Sequence, residues 1–315
     1  MSARDRATRA TGSPTAKRRG RLDVGEAETR ARRSEEGLRR SLETQRLIAA
    51  VAEAAAVAPD EQTLLGAATE LIRATLAADN CGFLLLDGAS GVLRHARSFH
   101  SRRPAEALEP VPLGRGIVSR VATGGVASRV DDIALDPDYL ALDPLMRSEL
   151  CVPLKVGERV LGVFDAESAL PAAFSEADLS LLAILTSHVA GAVERLRATA
   201  ALRLSADLYR AYFTASPLAL FVSEARGRYL EVNGAACALT GYSREQLVGM
   251  SIADLLAGGD AQQLAERLLG LIALGAGSNE VQIRRRDGSV RSCLVHASTV
   301  GPDRVLGLLL DITDR

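Results

Sequence analysis

Apolar residues recur along this chain with two different periods, and the order of those periods divides it into segments. Over 34–58, Leu38, Leu42, Leu47, Ile48 and Val51 fall near one face of a helix. Pro59 ends that segment, and Asp60 is placed to cap a second helix running to about Leu76. The pattern then changes to short apolar runs. CGFLLLD (81–87) and VLRHARSF (92–99) read as strands around a turn in DGASG. Residues 104–149 are mixed and rich in turn formers. LCVPLKV (150–156) and RVLGVFDAE (159–167) flank Gly157-Glu158 as a hairpin.

A long helical pattern follows over 176–208, opened by a capping box of Ser175 and Asp178. Leu182, Leu185, Val189, Ala192 and Leu196 repeat with heptad spacing, and the apolar positions then step to Ala200, Leu204 and Leu208. A heptad seam with a change of phase predicts a coiled coil between two domains, with a homodimer through 34–58 and 176–208. From Tyr209 onward the order is two strands (LALFVSE, YLEVN), short helices, a longer helix over about 260–274, and three strands. One short helix opens with a capping box of Ser243 and Gln246. The order ββαααβββ excludes a doubly wound parallel sheet and predicts an antiparallel sheet with helices, an α+β domain.

Composition narrows the function classes. Hydrophobic residues make up 47% of the 315 and charged residues 24%, which fits ordinary globular domains. Aromatic residues are scarce and tryptophan is absent, so a base-stacking nucleic-acid platform is disfavoured. The net charge of -1 hides a division: residues 1–33 carry a net +6, and the remainder a net −7. The basic stretch, with Lys17, Arg18, Arg19 and Arg21, reads as a disordered, solvated tail rather than a nucleic-acid arm. Cys81, Cys151, Cys237 and Cys293 are scattered with no CxxC pair, which predicts reduced thiols rather than disulfides or a zinc knuckle. No uninterrupted apolar run reaches the roughly 18 residues that span a bilayer, and a cytoplasmic location away from membranes is expected.

Residues 46–196 resemble a GAF domain through VPLGRGIVSRVATGG, VDDIALDPDY, RSELCVPLKVGERVLGVFDAES and AFSEADLSLLAILTSHVAGAVE. Residues 209–315 resemble a PAS domain through VNGAACALTGYSREQLVG, IRRRDGSVR and the terminal DIT. The resemblance implies two domains, each a central antiparallel sheet with helices, joined by a long helix. It also implies a sensory role.

Known ligand signatures of these families are incomplete here. For the cyclic-nucleotide pattern, Glu167-Ser168 stand in place of Asn-Lys and Leu179 in place of Glu, although Phe174 and Asp178 match. One enzyme has the GAF fold, free-methionine-(R)-sulfoxide reductase, and it implies thiols where this chain has Leu142-Asp143-Pro144 and Gly116-Ile117-Val118. Cys81 and Cys151 read as core residues. No Cys-His pair suggests a bilin, no histidine lies in 260–274 to hold a haem, and Ser251-Ile252 replace the flavin-reactive pair. His188 lacks the acidic neighbour of a phospho-acceptor box and reads as a helix-surface residue.

The remaining candidates are pocket residues. His95 and His100 lie in or after a strand facing the GAF pocket, and Leu220, Val222, Leu239, Leu268 and Ile272 are expected along a PAS pocket. Asp311 and Thr313, at the end of the last strand, are expected to transmit a signal. The cofactor is left unknown, and no catalytic residue is assigned. The expected function is a GAF-PAS sensory module that passes a small-ligand or partner signal to an output domain or partner protein. It would be the input part of a sensor histidine kinase or cyclase, or a stand-alone regulator. The alternatives are a redox enzyme of the sulfoxide-reductase type and a nucleic-acid-associated regulator using the basic tail.

Overall fold

The computed structural model describes residues 35, 37–39, 41–104, 108–137, 139, 143–273 and 277–314, the side chains of 271–273 and 277 excepted. The tail expected over 1–33 lies outside the described residues. The chain forms two compact units, divided between Ala200 and Ala201.

Unit 1 is a six-stranded antiparallel sheet with its longer helices on one face and a short helix on the other. Helix α1 covers residues 41–57 and α2 spans Glu61–Arg73. Asp60 caps α2 by accepting from the Thr63 amide at 2.8 Å. The strands are β1 (Asn80–Asp87), β2 (Val92–His95), β3 (Val111–Pro112), β4 (Ser128–Val130), β5 (Ser148–Val156) and β6 (Arg159–Ser168), and their order in the sheet is β3-β2-β1-β6-β5-β4. Helix α3 (Ile117–Gly124) crosses the other face. Strands β3 and β4 and helix α3 fall in the stretch that the sequence pattern left unresolved. They are short, and Gly116 starts α3 without a side-chain cap.

Strand alternation divides the packing of unit 1. Phe83, Leu150, Val152, Leu154, Phe164 and Ala166 join α1, α2 and α4 in one core cluster. Leu84, Cys151 and Val163 join Ile117, Val121 and Ile133 in a second cluster on the opposite face.

Helix α4 (Glu176–Ala215) opens where the capping box predicts: Ser175 N–H and hydroxyl both donate to Asp178 Oδ2, at 2.8 and 2.7 Å. It continues past the predicted end at Leu208 to Ala215. The predicted seam is corrected. Leu182, Leu185, Val189 and Ala192 are all buried inside unit 1 itself, because α4 closes the helical side of the sheet. Arg197 fixes this helix to α2 with two hydrogen bonds to Glu61, at 2.8 and 2.7 Å. By length and composition α4 is the one described helix apolar enough to cross a membrane, but the apolar stretch includes those core residues.

Unit 2 is a five-stranded antiparallel sheet of order β8-β7-β11-β10-β9. Its elements are β7 (Ala219–Glu224), β8 (Tyr229–Val232), α5 (Gly234–Thr240), α6 (Arg244–Leu247), α7 (Ile252–Leu255), α8 (Ala261–Ala273), β9 (Gly277–Arg284), β10 (Val290–Thr299) and β11 (Arg304–Asp311). The Ser243–Gln246 capping box opens α6 as predicted. Each of the two units is therefore an α+β domain of the expected class.

Candidate functional site

The site grows from the face of the unit 1 sheet opposite α1, α2 and α4. Antiparallel register places Glu149 opposite Glu167, and Glu167 opposite Asn80. One step along, Cys151 faces Asp165, which faces Gly82. Beyond those, Leu84 pairs with Val163 on one side and His95 on the other. Directly opposed residues share a face, so Asn80, Glu149, Asp165, Glu167, Leu84 and His95 pave the floor of one cavity of about 220 Å³. Ile117 and Val118 of α3, together with Phe99, Arg103, Tyr139 and Asp143, complete its walls. The volume holds a small ligand, since one water needs only about 10–15 Å³ by the same measure.

Gly82 makes the closure geometry work. A Cβ built there would stand 2.8 Å from Phe99 Cα, so only glycine lets the segment after β2 come down on β1. Cys81 and His100 fix the same crossing through two backbone hydrogen bonds of 2.8 Å. His95 and Phe99 then meet edge to face, with ring centroids 4.6 Å apart.

The cavity floor is acidic. Glu149 and Asp165 are buried, and Glu149 Oε1 and Asp165 Oδ1 have no hydrogen-bond donor among the described residues. Burial, reinforced by the neighbouring Asp165 and Glu167 charges, raises the Glu149 pKa well above the ordinary carboxylate range. Burial and then the Glu167 charge do the same to Asp165. Glu167 is raised by burial but is opposed by Asn80 Nδ2, which donates to its Oε2 at 2.8 Å. Asn80 is itself positioned by the Arg102 amide, which donates to its Oδ1 at 2.9 Å. His95 is pushed down to about 4, by burial and then by the Arg103 charge, so its ring is neutral near pH 7. Its Nδ1 is buried without a partner.

Of the two histidines expected to face this cavity, His95 does and His100 does not. His100 is exposed and contributes its backbone to the crossing over Cys81. Gly116, Ile117, Val118 and Asp143, at the positions that the enzyme resemblance implies for thiols, line the cavity without sulfur; Leu142 lies outside the described residues. Cys81 and Cys151 are both fully buried, as read from the sequence. Burial lifts Cys81 to about 11, and burial with the Asp165 charge raises Cys151 well above the ordinary thiol range. The carboxylate floor was missed in the sequence reading. Its signal was there: Glu149, Asp165 and Glu167 interrupt otherwise apolar strands, where unpaired charges are costly.

Unit 2 has a smaller apolar cavity of about 60 Å³ between the sheet and α7–α8. Leu268 lines it as expected, while Leu220, Val222 and Leu239 do not. The correction is one of strand phase: Ala219, Phe221 and Ser223 are the buried set of β7, and Leu220 and Val222 point to the other face. Leu239 packs against the margin of the core. Ile272 lies on α8, but its side chain is outside the described residues. At the end of β11, Asp311 Oδ1 accepts from the Thr313 amide at 3.0 Å and its hydroxyl at 2.5 Å. Thr313 Oγ1 accepts in turn from the Ser292 amide at 3.0 Å, which ties the chain end to β10.

Comparison with known proteins agrees with this division. The GAF domain family matches residues 58–194, and the PAS fold family matches residues 207–314. Over 68 residues, 22% of this chain, the sequence is 31% identical to Protein YtsP of Bacillus subtilis (strain 168) and 28% identical to free methionine-R-sulfoxide reductase of Escherichia coli (strain K12). Those stretches span 42% and 41% of the two relatives, so the chain matches about two fifths of their length. The PAS domain of an HTR-like protein from Haloarcula marismortui is 32% identical, over 37% of this chain and 98% of that one, with a TM-score of 0.34.

Proposed function

The chain is a sensory or signalling module, a GAF domain followed by a PAS domain, and from this premise we propose that the unit 1 cavity is its ligand-sensing site. The observation that carries the reading is the acidic floor built by Glu149, Asp165 and Glu167, with two buried oxygens lacking donors. Such a floor favours a small ligand that supplies positive charge or hydrogen-bond donors. Ligand binding would bias the packing of α4, whose buried side chains lie on the other face of the same sheet. Asp311 and Thr313 would carry the signal from the last strand of unit 2 to an output domain or partner. A cytoplasmic homodimer joined through the exposed part of α4 completes the proposal.

The module is proposed to act by binding rather than by catalysis. A reductase needs an accessible thiolate, and Cys151 sits in surroundings that hold its thiol protonated. Native mass spectrometry and thermal-shift screening against small amines, amino acids and metal ions test the reading. Binding that disappears in Asp165→Asn while unit 2 melts unchanged is the expected result. Ligand capture unaffected by every cavity substitution, or thiol-dependent turnover of methionine sulfoxide lost in Cys151→Ser, would defeat it.

A further inference from the structure

Glu149, Cys151 and Asp165 stand at adjoining positions of β5 and β6 on one face of the sheet. One potential ligand atom from each lies within 4.8 Å of the other two, and all three side chains are buried. Around a tetrahedral ion with bonds of roughly 2.0–2.3 Å, ligand atoms are about 3.5 Å apart. Metal binding would draw the three ligand atoms together to that spacing.

A second observation points to an occupant. Glu149 Oε1 and Asp165 Oδ1 belong to residues only 2% and 4% exposed, and neither atom receives a hydrogen bond among the described residues. Two buried carboxyl groups with open lone pairs at one place require a shared proton or a cation. The thiol decides the class of cation. A sulfur donor beside two carboxylates suits zinc or cobalt and is foreign to magnesium or calcium. Glu149 and Asp165 also line the cavity, which gives the ion an entry path and leaves a coordination position facing the cavity space.

We propose that Glu149, Cys151 and Asp165 form a three-ligand site for a divalent transition metal ion, with its open position turned into the unit 1 cavity. The metal enters as the aqua ion, and the protons of the thiol and of the carboxyl pair leave to solvent. The site goes beyond the sensory reading, since the ion binds here whether or not its binding is signalled.

Cobalt(II) titration of the reduced full chain tests this. The expected result is one equivalent bound, with a thiolate-to-cobalt charge-transfer band in the near ultraviolet that zinc removes. Cys151→Ser should abolish the band, Cys237→Ser should leave it, and Asp165→Asn should weaken binding by at least about tenfold. X-ray absorption on zinc-loaded wild-type protein needs no variant: one sulfur at about 2.3 Å with oxygen neighbours is expected. A shell without sulfur, a band that survives Cys151→Ser, or no binding at all would overturn the proposal. Capture of an organic amine by metal-free protein would leave the sensory reading standing even then.

Discussion

Glu149 of β5 lies directly opposite Glu167 of β6 because the hairpin joining them carries a bulge. Beside the turn, Val156 pairs with Arg159 and Lys155 with Val160, but Leu154 pairs with Gly162, skipping Leu161. Without that skip Glu149 would face Ala166, and Asp165 and Glu167 would fall on the helix-packed side of the sheet. Gly162 holds the shifted register against β1, since a Cβ there would lie 2.1 Å from the Leu84 carbonyl oxygen. Gly162→Ala should therefore cost unit 1 about 1–3 kcal/mol or more, measured by denaturant unfolding, while unit 2 unfolds as before. An unchanged transition would show that β6 can move away from β1.

The same bulge marks the limit of what the sequence made legible. Hairpin, capping boxes and domain order were readable, because each depends on residues close together in the chain. Ser175–Asp178 and Ser243–Gln246 cap their helices as their spacing requires. The acidic floor was not readable in that way. A two-residue turn at Gly157-Glu158 without a bulge separates Glu149 from Asp165, and the bulge at Leu161 that brings them to one face has no local signature in the sequence. The unit 2 pocket failed for a related reason: β7 is apolar at consecutive positions, so its composition does not say which alternate set faces inward. The long seam of α4 has heptad spacing, yet the partner it meets is its own sheet.

His95 predicts a defined response to acid. Its folded pKa, about 4, lies below the 6.5 of an exposed histidine. The unfolded chain therefore binds the extra proton first, and the stabilising contribution of the neutral ring is present above pH 6.5 and lost as the pH falls toward 4. Arg103, Tyr139, Glu109, Asp143, Glu149, Asp165 and Glu167 line the same cavity, and the raised carboxyl groups act with the opposite sign. The informative quantity is thus the difference between wild type and His95→Gln. The variant should lose less stability between pH 6.5 and 4 in thermal unfolding of unit 1. Parallel curves would mean that the ring is solvated in the folded state.

Asn233 predicts a local weak point in unit 2. Its Nδ2 donates to the carbonyl oxygens of Phe213 at 3.1 Å, Ser216 at 3.3 Å and Leu218 at 2.9 Å. Its Oδ1 accepts from Leu220 N at 3.0 Å and from Ala236 N at 2.9 Å, the latter capping α5. One buried amide thus joins the end of α4, the start of β7 and the first turn of α5. Asn233→Ala leaves several of these groups unpaired and should cost about 2–4 kcal/mol. Asn233→Asp keeps the accepting oxygen and loses the donors, so it should retain the α5 cap but free the end of α4. Hydrogen exchange at Leu220, Ala236 and the last turn of α4 separates the two variants, and equal protection in both would show the amide to be dispensable.

The exposed part of α4 predicts where a second copy binds. Every residue from 198 to 212 is exposed, including Leu204 at 62% and Leu208 at 43%. An isolated helical stretch of this length is marginal in water, so a packed partner is the natural source of its stability. Ala201, Leu204, Leu208 and Ala211 follow a 3-4-3 spacing, which fits a short two-stranded seam. Leu185 and Val189 are unavailable for it, because both are buried in the core of unit 1. The two sets of substitutions should therefore behave differently. Leu204→Glu with Leu208→Glu should convert a dimer to a monomer by light scattering while both units keep their unfolding transitions. Leu185→Glu or Val189→Glu should instead unfold unit 1, since each buries an unpaired charge. A wild-type chain that is monomeric at micromolar concentration, or a dimer that survives the first pair, would place the stabilising contacts of residues 198–212 elsewhere.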